Sequence, residues 1–133
     1  MITPITAIFA AVIGILLLVL SFHVSRFRLK YKKDLGVTSD RDFEVAVRAQ
    51  ANLVEYAPIA LIMLAIAELN GVSGSFIYWT GMALVTGRIL HAFGMIKGHG
   101  KSHWARFSGI LLTWFAIFAA AGLLLWNVWQ VYG

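Results

Sequence analysis

The chain has 133 residues, of which 60% are hydrophobic and 13% are charged, and its mean hydropathy is +0.81. These values lie outside the usual range of soluble domains and predict an integral membrane protein with room for about four spans of ~20 residues. Cysteine is absent, which excludes disulfides and thiolate metal ligands. The net charge of +5 lies in clusters beside apolar segments, so we expect no nucleic-acid binding.

Four apolar segments are expected to cross the lipid bilayer, at about residues 4–25, 42–69, 75–96 and 104–130. The predicted fold is therefore all-α, an integral membrane four-helix bundle that forms one domain over residues 1–133. Lysine and arginine are concentrated in the first and third connections and are missing from both termini and from the second connection. Since basic connections stay in the cytoplasm, we expect both the N- and C-termini on the non-cytoplasmic side.

The second segment is unusual because it carries polar residues well inside an apolar helix. Arg48, Asn52, Glu55 and Tyr56 fall at i, i+4, i+7 and i+8, so all four project from one helical face. Polar groups at membrane depth are costly, and they normally turn toward another helix or a wet cavity. This face is the first candidate for a functional site.

The third segment carries Arg88 and His91, one turn apart on one face. Glu55 is the only acidic residue well inside an apolar span, and it lies at a similar membrane depth to Arg88. We therefore predict that Glu55 and Arg88 form an ion pair. Such a pair would either serve only to join the second and third helices or form part of a functional site.

Further cations are expected near the cytoplasmic end of the polar face: Arg26 and Arg28 end the first span, and Arg106 begins the fourth. Guanidinium groups bind carboxylates bidentately, so a cluster with Arg48 would suit an anionic ligand. Each of these three arginines alone could instead be a membrane-interface anchor. No histidine has partners at metal-ligand spacing, so no metal site is predicted.

The pattern Arg48-x-Gln50-x-Asn52-x-x-Glu55-Tyr56-x-Pro58, early in the second of four spans, resembles the signature of the MAPEG family, the membrane-associated proteins in eicosanoid and glutathione metabolism. The four-span plan covers essentially the whole chain. The segment around Arg88 and His91 resembles the third helix of the prostaglandin E synthase-like members. The chain looks most like the small bacterial branch, which implies the bacterial inner membrane.

The resemblance implies a homotrimer that binds glutathione as a cosubstrate between neighbouring subunits, near the cytoplasmic side. By position, Arg48 would hold a glutathione carboxylate, while Asn52 and Glu55 would contact its polar backbone and amino group. Tyr56 and His91 would line the site, as would Arg26. Arg106 would be the arginine that stabilises the glutathione thiolate.

The implied activity is a glutathione-dependent transferase or peroxidase acting on hydrophobic electrophiles or lipid hydroperoxides. One position departs from the pattern, since Met95 stands where the eicosanoid enzymes carry a tyrosine. The register around Arg106 depends on the length of the third connection, so Lys101 is an alternative to Arg106 as the catalytic cation. The other function considered is a non-catalytic lipid-binding or scaffold membrane protein of the same fold. A small four-span drug/proton exporter ranks last, because the first span lacks a buried acid.

Overall fold

The computed structural model describes all 133 residues and contains four α-helices joined by three short connections. The helices are α1 (Pro4–Tyr31), α2 (Arg41–Leu69), α3 (Gly74–Lys97) and α4 (Trp104–Tyr132). No strand is present, so the prediction of an all-α membrane bundle is confirmed. The helix bounds lie close to the predicted spans, except that α1 continues to Tyr31 instead of ending near residue 25.

Three helices, α1, α2 and α4, are long and apolar enough to cross a membrane. Helix α3 is less apolar because it carries Arg88 and His91, but its 24 residues would extend about 36 Å, more than the ~30 Å of a hydrocarbon core. Arg88 is 1% exposed and His91 is 5% exposed. The other helices therefore enclose the polar part of α3, which explains how a less apolar helix fits within the bundle.

Helix α2 packs through a seam of mostly small side chains. Beyond its first turn, seven of its buried positions recur every three or four residues, the period of one helical face: Ala46, Ala49, Leu53, Ala57, Ala60, Leu64 and Ala67. Small residues let helices approach closely in a membrane, where van der Waals packing rather than the hydrophobic effect drives association. The seam therefore places α2 against α1, α3 and α4.

Helices α3 and α4 make the closest contact in the bundle, and glycines make it possible. A Cβ atom added at Gly87 would lie 2.8 Å from the carbonyl oxygen of Gly109. A Cβ atom added at Gly94 would overlap the backbone nitrogen of Arg106. The two helices consequently touch backbone to backbone at the level where α3 carries its polar residues and α4 begins.

The start of α1 is held by a carboxylate from the end of α2. Glu68 accepts hydrogen bonds from the backbone N–H groups of Ile5 at 2.9 Å and Thr6 at 2.8 Å, and from the Thr6 hydroxyl at 2.7 Å. A helix N-terminus has unpaired N–H groups and a positive dipole end, so an acidic partner stabilises it. This contact fixes the N-terminal end of the bundle.

Both basic connections lie at the opposite end of the bundle. Arg41, at the start of α2, donates from Nε to the carbonyl oxygen of His99 at 2.6 Å. His99 Nδ1 also lies 2.6 Å from Asp42 Oδ1. The connection between α3 and α4 is therefore tied to the start of α2, and the side of the membrane that this end faces stays a prediction.

The start of α2 is capped by Asp40, whose carboxylate accepts a hydrogen bond from the backbone N–H of Asp42 at 2.9 Å. Asp40 also accepts one from the hydroxyl of Tyr31, the last residue of α1. Hydrogen bonds to the charged form favour it, so the Tyr31 hydroxyl holds the pKa of Asp40 below its ordinary value. One side chain thus joins the end of α1 to the beginning of α2.

Candidate functional site

Arg88 lies at the centre of a polar network that joins three helices. Its Nη1 donates to Asn52 Oδ1 on α2 at 2.7 Å, and its Nε donates to Thr113 Oγ1 on α4 at 2.8 Å. Its Nη2 is buried without a hydrogen-bond partner. The carbon Cζ of Arg88 also lies 5.3 Å from the ring centroid of Tyr56, a cation–π contact.

The predicted ion pair between Glu55 and Arg88 does not form. Glu55 instead pairs with Arg48, with 3.8 Å between Oε1 and Nη1, and the two side chains are 51% and 56% exposed. Asn52, one turn before Glu55, takes the position opposite Arg88. The prediction was wrong because it matched charges by depth alone, whereas the helical rotation of α2 points the amide, and not the carboxylate, at α3.

A polar cavity of about 290 Å³ opens at the end of the bundle that carries the basic connections. Its lining consists of Arg41, Glu44, Val45, Arg48, Asn52, His91, Met95, Gly100 and Arg106. Three guanidinium groups face one carboxylate there, so the cavity carries excess positive charge. Arg106 is held in place by a hydrogen bond of 2.9 Å from its Nη1 to the carbonyl oxygen of Gly100.

A second cavity, of about 480 Å³, adjoins the first. The two share Asn52, His91 and Arg106, and the second extends along α4 past Tyr56, Ser102, His103, Phe107 and Ile110. The first cavity is mainly polar, whereas Phe107 and Ile110 give the second an apolar part. Together they form one groove, which we call the α2–α4 groove, with a cationic end and a partly apolar end.

The structure brings most of the predicted site residues together. Arg48, Asn52, Tyr56, His91 and Arg106 all line the α2–α4 groove. Tyr56 on α2 and His91 on α3 therefore lie near Arg106 on α4. This convergence is what a site for one small ligand requires.

Three other cations lie outside the groove. Arg26 lines a separate cavity on α1 with His23, Phe27 and Lys30. Arg28 donates to the carbonyl oxygens of Lys33 at 3.3 Å and Gly36 at 3.2 Å, so it stabilises the first connection. Lys101 is exposed and lines neither cavity, which leaves Arg106 as the cation at the start of α4 that faces the groove.

The family model for the MAPEG family matches residues 6–126, which is most of the chain. The chain belongs to the MAPEG family. It is also 32% identical over 127 residues to the inner membrane protein YecN of Escherichia coli strain K12, an alignment that covers 96% of this chain and 92% of that protein. The YecN protein of Escherichia coli O6:H1 matches to the same extent. Membership of the MAPEG family agrees with the motif on α2 and with the four-helix fold.

Two groups of residues in or beside the groove of this MAPEG protein were not found from the sequence. Arg41 and Glu44 line the cationic cavity, and their spacing from Arg48, at i−7 and i−4, places them on the same helical face. That spacing could have identified them. Thr113, the partner of Arg88 on α4, carries no comparable signal, because an isolated threonine in an apolar helix is compatible with many roles.

Proposed function

We propose that the α2–α4 groove binds glutathione, and that the protein is a membrane-embedded transferase or peroxidase. It would conjugate glutathione to hydrophobic electrophiles or use it to reduce lipid hydroperoxides. The observation that carries this proposal is the convergence of Arg48, Asn52, His91 and Arg106 on one polar cavity. The family to which the chain belongs is associated with glutathione metabolism, which supplies the identity of the ligand. The proposed location is the inner membrane, as in the name of the two relatives.

The size and charge of the groove support a small anionic ligand. Ligand sites commonly occupy about 300–1,000 Å³, and the two parts of the groove measure about 290 and 480 Å³. Arg48 and Arg106 would meet carboxylates or a thiolate, with Asn52 supplying a neutral hydrogen-bonding group. The apolar part beside Phe107 and Ile110 would take the hydrophobic electrophile from the bilayer.

The exposure of the Arg48–Glu55 pair supports assembly into the homotrimer that the family resemblance implies. Both side chains are about half exposed in one protomer, although they belong to a membrane-length helix. Charged groups inside a membrane normally face protein or water, not lipid. We therefore propose that another copy of the chain covers this face, and that Arg26 reaches the glutathione site of a neighbouring copy.

Arg106 is the proposed catalytic residue. Its guanidinium would lie beside the glutathione sulfur and favour the thiolate over the thiol, because a nearby positive charge stabilises S⁻. The sulfur would then use an electron pair to form a bond with the electrophilic carbon, and the displaced group would leave with the electrons of the broken bond. In the peroxidase reaction the thiolate would attack one oxygen of the hydroperoxide, the O–O bond would break, and the alkoxide would take up a proton and leave as the alcohol. The sulfur would then be a sulfenic acid, and a second glutathione would displace its oxygen as water to give the disulfide.

The test is conjugation of glutathione to a chlorodinitrobenzene by the protein purified in detergent, with binding measured in parallel by calorimetry. We expect Arg106→Ala to lose turnover while it retains glutathione binding, and Arg48→Ala to lose binding. Lys101→Ala is the matched control, because it removes a cation from the connection just before α4, outside the groove. A wild-type protein that neither binds nor conjugates glutathione would refute the proposal.

One observation favours the second candidate function, a non-catalytic lipid-binding or scaffold protein of the same fold. Met95, which lines the cationic cavity, stands where the eicosanoid enzymes carry a tyrosine. A thioether offers neither a hydroxyl donor nor a titratable proton. Copurification of a lipid with no thiol turnover would support this candidate, and conjugation that depends on Arg106 would exclude it.

A further inference from the structure

We infer that Arg88 and Thr113 are positioning residues that hold the Asn52 side chain in one orientation, so that its amide nitrogen donates into the α2–α4 groove. The ligand group that meets Asn52 must then be a hydrogen-bond acceptor, such as a carbonyl or carboxylate oxygen. This inference deepens the proposed function and rests on it for the identity of the ligand. The orientation of Asn52 itself rests on contacts within the protein alone.

The order of donors and acceptors begins at Thr113 on α4. The Thr113 hydroxyl lies 2.8 Å from the carbonyl oxygen of Gly109, which can only accept, so the hydroxyl donates its single proton there. Thr113 is fully buried and its oxygen then has only lone pairs to offer. It uses one of them to accept the N–H of Arg88 Nε.

The same logic fixes Asn52. A guanidinium has five N–H donors and no acceptor, so the amide atom that lies 2.7 Å from Arg88 Nη1 must be the oxygen. Oxygen and nitrogen of an amide are otherwise hard to distinguish, but here only one assignment makes a hydrogen bond. The Asn52 Nδ2 group makes no hydrogen bond within the protomer, and it belongs to a residue that lines both cavities.

The orientation of the Arg88 guanidinium depends on few contacts, so Thr113 can control how Arg88 meets Asn52. It is 1% exposed, and Nη2 has no partner, so the contacts with Thr113 and Asn52 are the ones that orient the guanidinium plane. The backbone oxygen of Asn52 accepts a weaker second bond from Nη1 at 3.4 Å. The contact with the Tyr56 ring means that Arg88 supports two groove residues one turn apart on α2.

The first experiment measures glutathione binding to the detergent-purified protein by calorimetry, with melting temperatures measured on the same samples. Thr113→Val keeps the shape of the side chain and removes the acceptor, and we expect it to raise the glutathione Kd at least about threefold. Thr113→Ser restores the hydroxyl and should restore the affinity. The matched control is Thr80→Val, the same change at another buried threonine, on α3 outside the groove, which should leave Kd unchanged.

Asn52→Asp tests the polarity of the groove directly. The aspartate can still accept from Arg88, so the fold should persist, but it presents an acceptor where the ligand needs a donor. We expect Kd to rise about tenfold or more, with the melting temperature retained. The monoethyl ester of glutathione separates this effect from charge repulsion, since loss of the donor predicts a similar penalty for the ester and repulsion predicts a smaller one. Wild-type affinity in Asn52→Asp, or a penalty that disappears with the ester, would overturn the inference.

A second experiment tests, without a ligand, whether Arg88 couples Asn52 to Thr113. Asn52 and Thr113 do not contact each other, so their substitutions should affect stability independently unless Arg88 links them. We expect the melting-temperature loss of the double variant Asn52→Leu/Thr113→Val to be smaller than the sum of the single losses. Additive losses would overturn the inference. Absence of glutathione binding by the wild type would instead refute the proposed function, and the double-variant result would still decide the role of Arg88.

Discussion

Gly109→Ala should lower the stability of the protein and distort the α2–α4 groove, because Gly109 lies where α4 crosses α3. An added Cβ atom would overlap the backbone nitrogen of His91 and lie 2.6 Å from the carbonyl oxygen of Gly87. Both obstacles are backbone atoms inside a helix, so neither can move aside as a flexible side chain could. The clash has to separate α3 from α4, and this would lengthen the contact between Arg88 and Thr113 one turn further along α4.

The magnitude follows from comparison with Gly122, which is on the same helix and has no atom within 4 Å of an added Cβ. Gly122→Ala should gain up to about 1 kcal/mol, because alanine is the better helix former. Gly109→Ala has the same gain but also an overpacking cost of roughly 1–3 kcal/mol. The difference between the two variants is therefore about 1–3 kcal/mol, or on the order of 5–10 °C in melting temperature.

The assay is thermal unfolding of both variants in the same detergent, followed by circular dichroism, with glutathione binding measured on the folded samples. Gly109→Ala should melt below Gly122→Ala and bind glutathione more weakly. If the melting temperature of Gly109→Ala equals or exceeds that of Gly122→Ala, the backbone contact between α3 and α4 is not as close as the structure shows.

Three further predictions concern other parts of the bundle. Glu68→Gln should lower the stability by about 1 kcal/mol through weaker capping of α1, without affecting glutathione binding; an unchanged melting temperature would contradict the capping role. Tyr31→Phe should remove the hydrogen bond that keeps the pKa of Asp40 below its ordinary value of 3.8. A carboxyl group whose pKa is lowered by folding stabilises the protein at pH values above its ordinary pKa, and this stabilisation is lost as the pH falls through the lowered pKa. The melting temperature of Tyr31→Phe should therefore depend less on pH between pH 5 and 2 than that of the wild type. An identical pH profile would contradict the role of this hydrogen bond. Leu64 is 1% exposed, so Leu64→Ala should lower the free energy of unfolding by about 2–5 kcal/mol. Ile62 is 54% exposed, so Ile62→Ala should lower it much less. Equal losses would show that the α2 seam is misplaced.

The fold could be predicted from the sequence because long apolar segments leave few alternatives in a membrane. A spanning segment must satisfy its backbone hydrogen bonds internally, so each apolar stretch of sufficient length has to be a helix. The end of α1 could not be predicted in the same way, because the basic residues after Val24 mark the edge of the apolar span and not the end of the helix. Helix α1 continues to Tyr31 because its last turns lie outside the apolar region but still pack through Tyr31 on Phe43, with the two rings stacked at 5.9 Å.

Several members of the candidate site could be predicted from the sequence, but their pairings could not. The helical period puts Arg48, Asn52 and Tyr56 on one face, and this is a property of the local sequence. Which of these residues meets Arg88 depends on how α2 is rotated against α3, and that rotation follows from side-chain packing along the whole interface. A shift of one turn exchanges an ion pair with Glu55 for a hydrogen bond with Asn52, and charge complementarity alone favoured the wrong partner.

The pairing that does form has a consequence for the chemistry of the groove. Because Arg88 has only neutral partners, its charge is not cancelled by Glu55. Arg41, Arg48, Arg88 and Arg106 lie in or beside the groove against Glu44 and Glu55, so four positive charges minus two negative ones leave an excess of +2. Glutathione carries a net charge of about −1 as a thiol and about −2 as a thiolate at neutral pH. If glutathione binds as proposed, the thiolate would be the form whose charge the protein balances. The field of the whole site would then favour the reactive state, in addition to the proposed contact with Arg106.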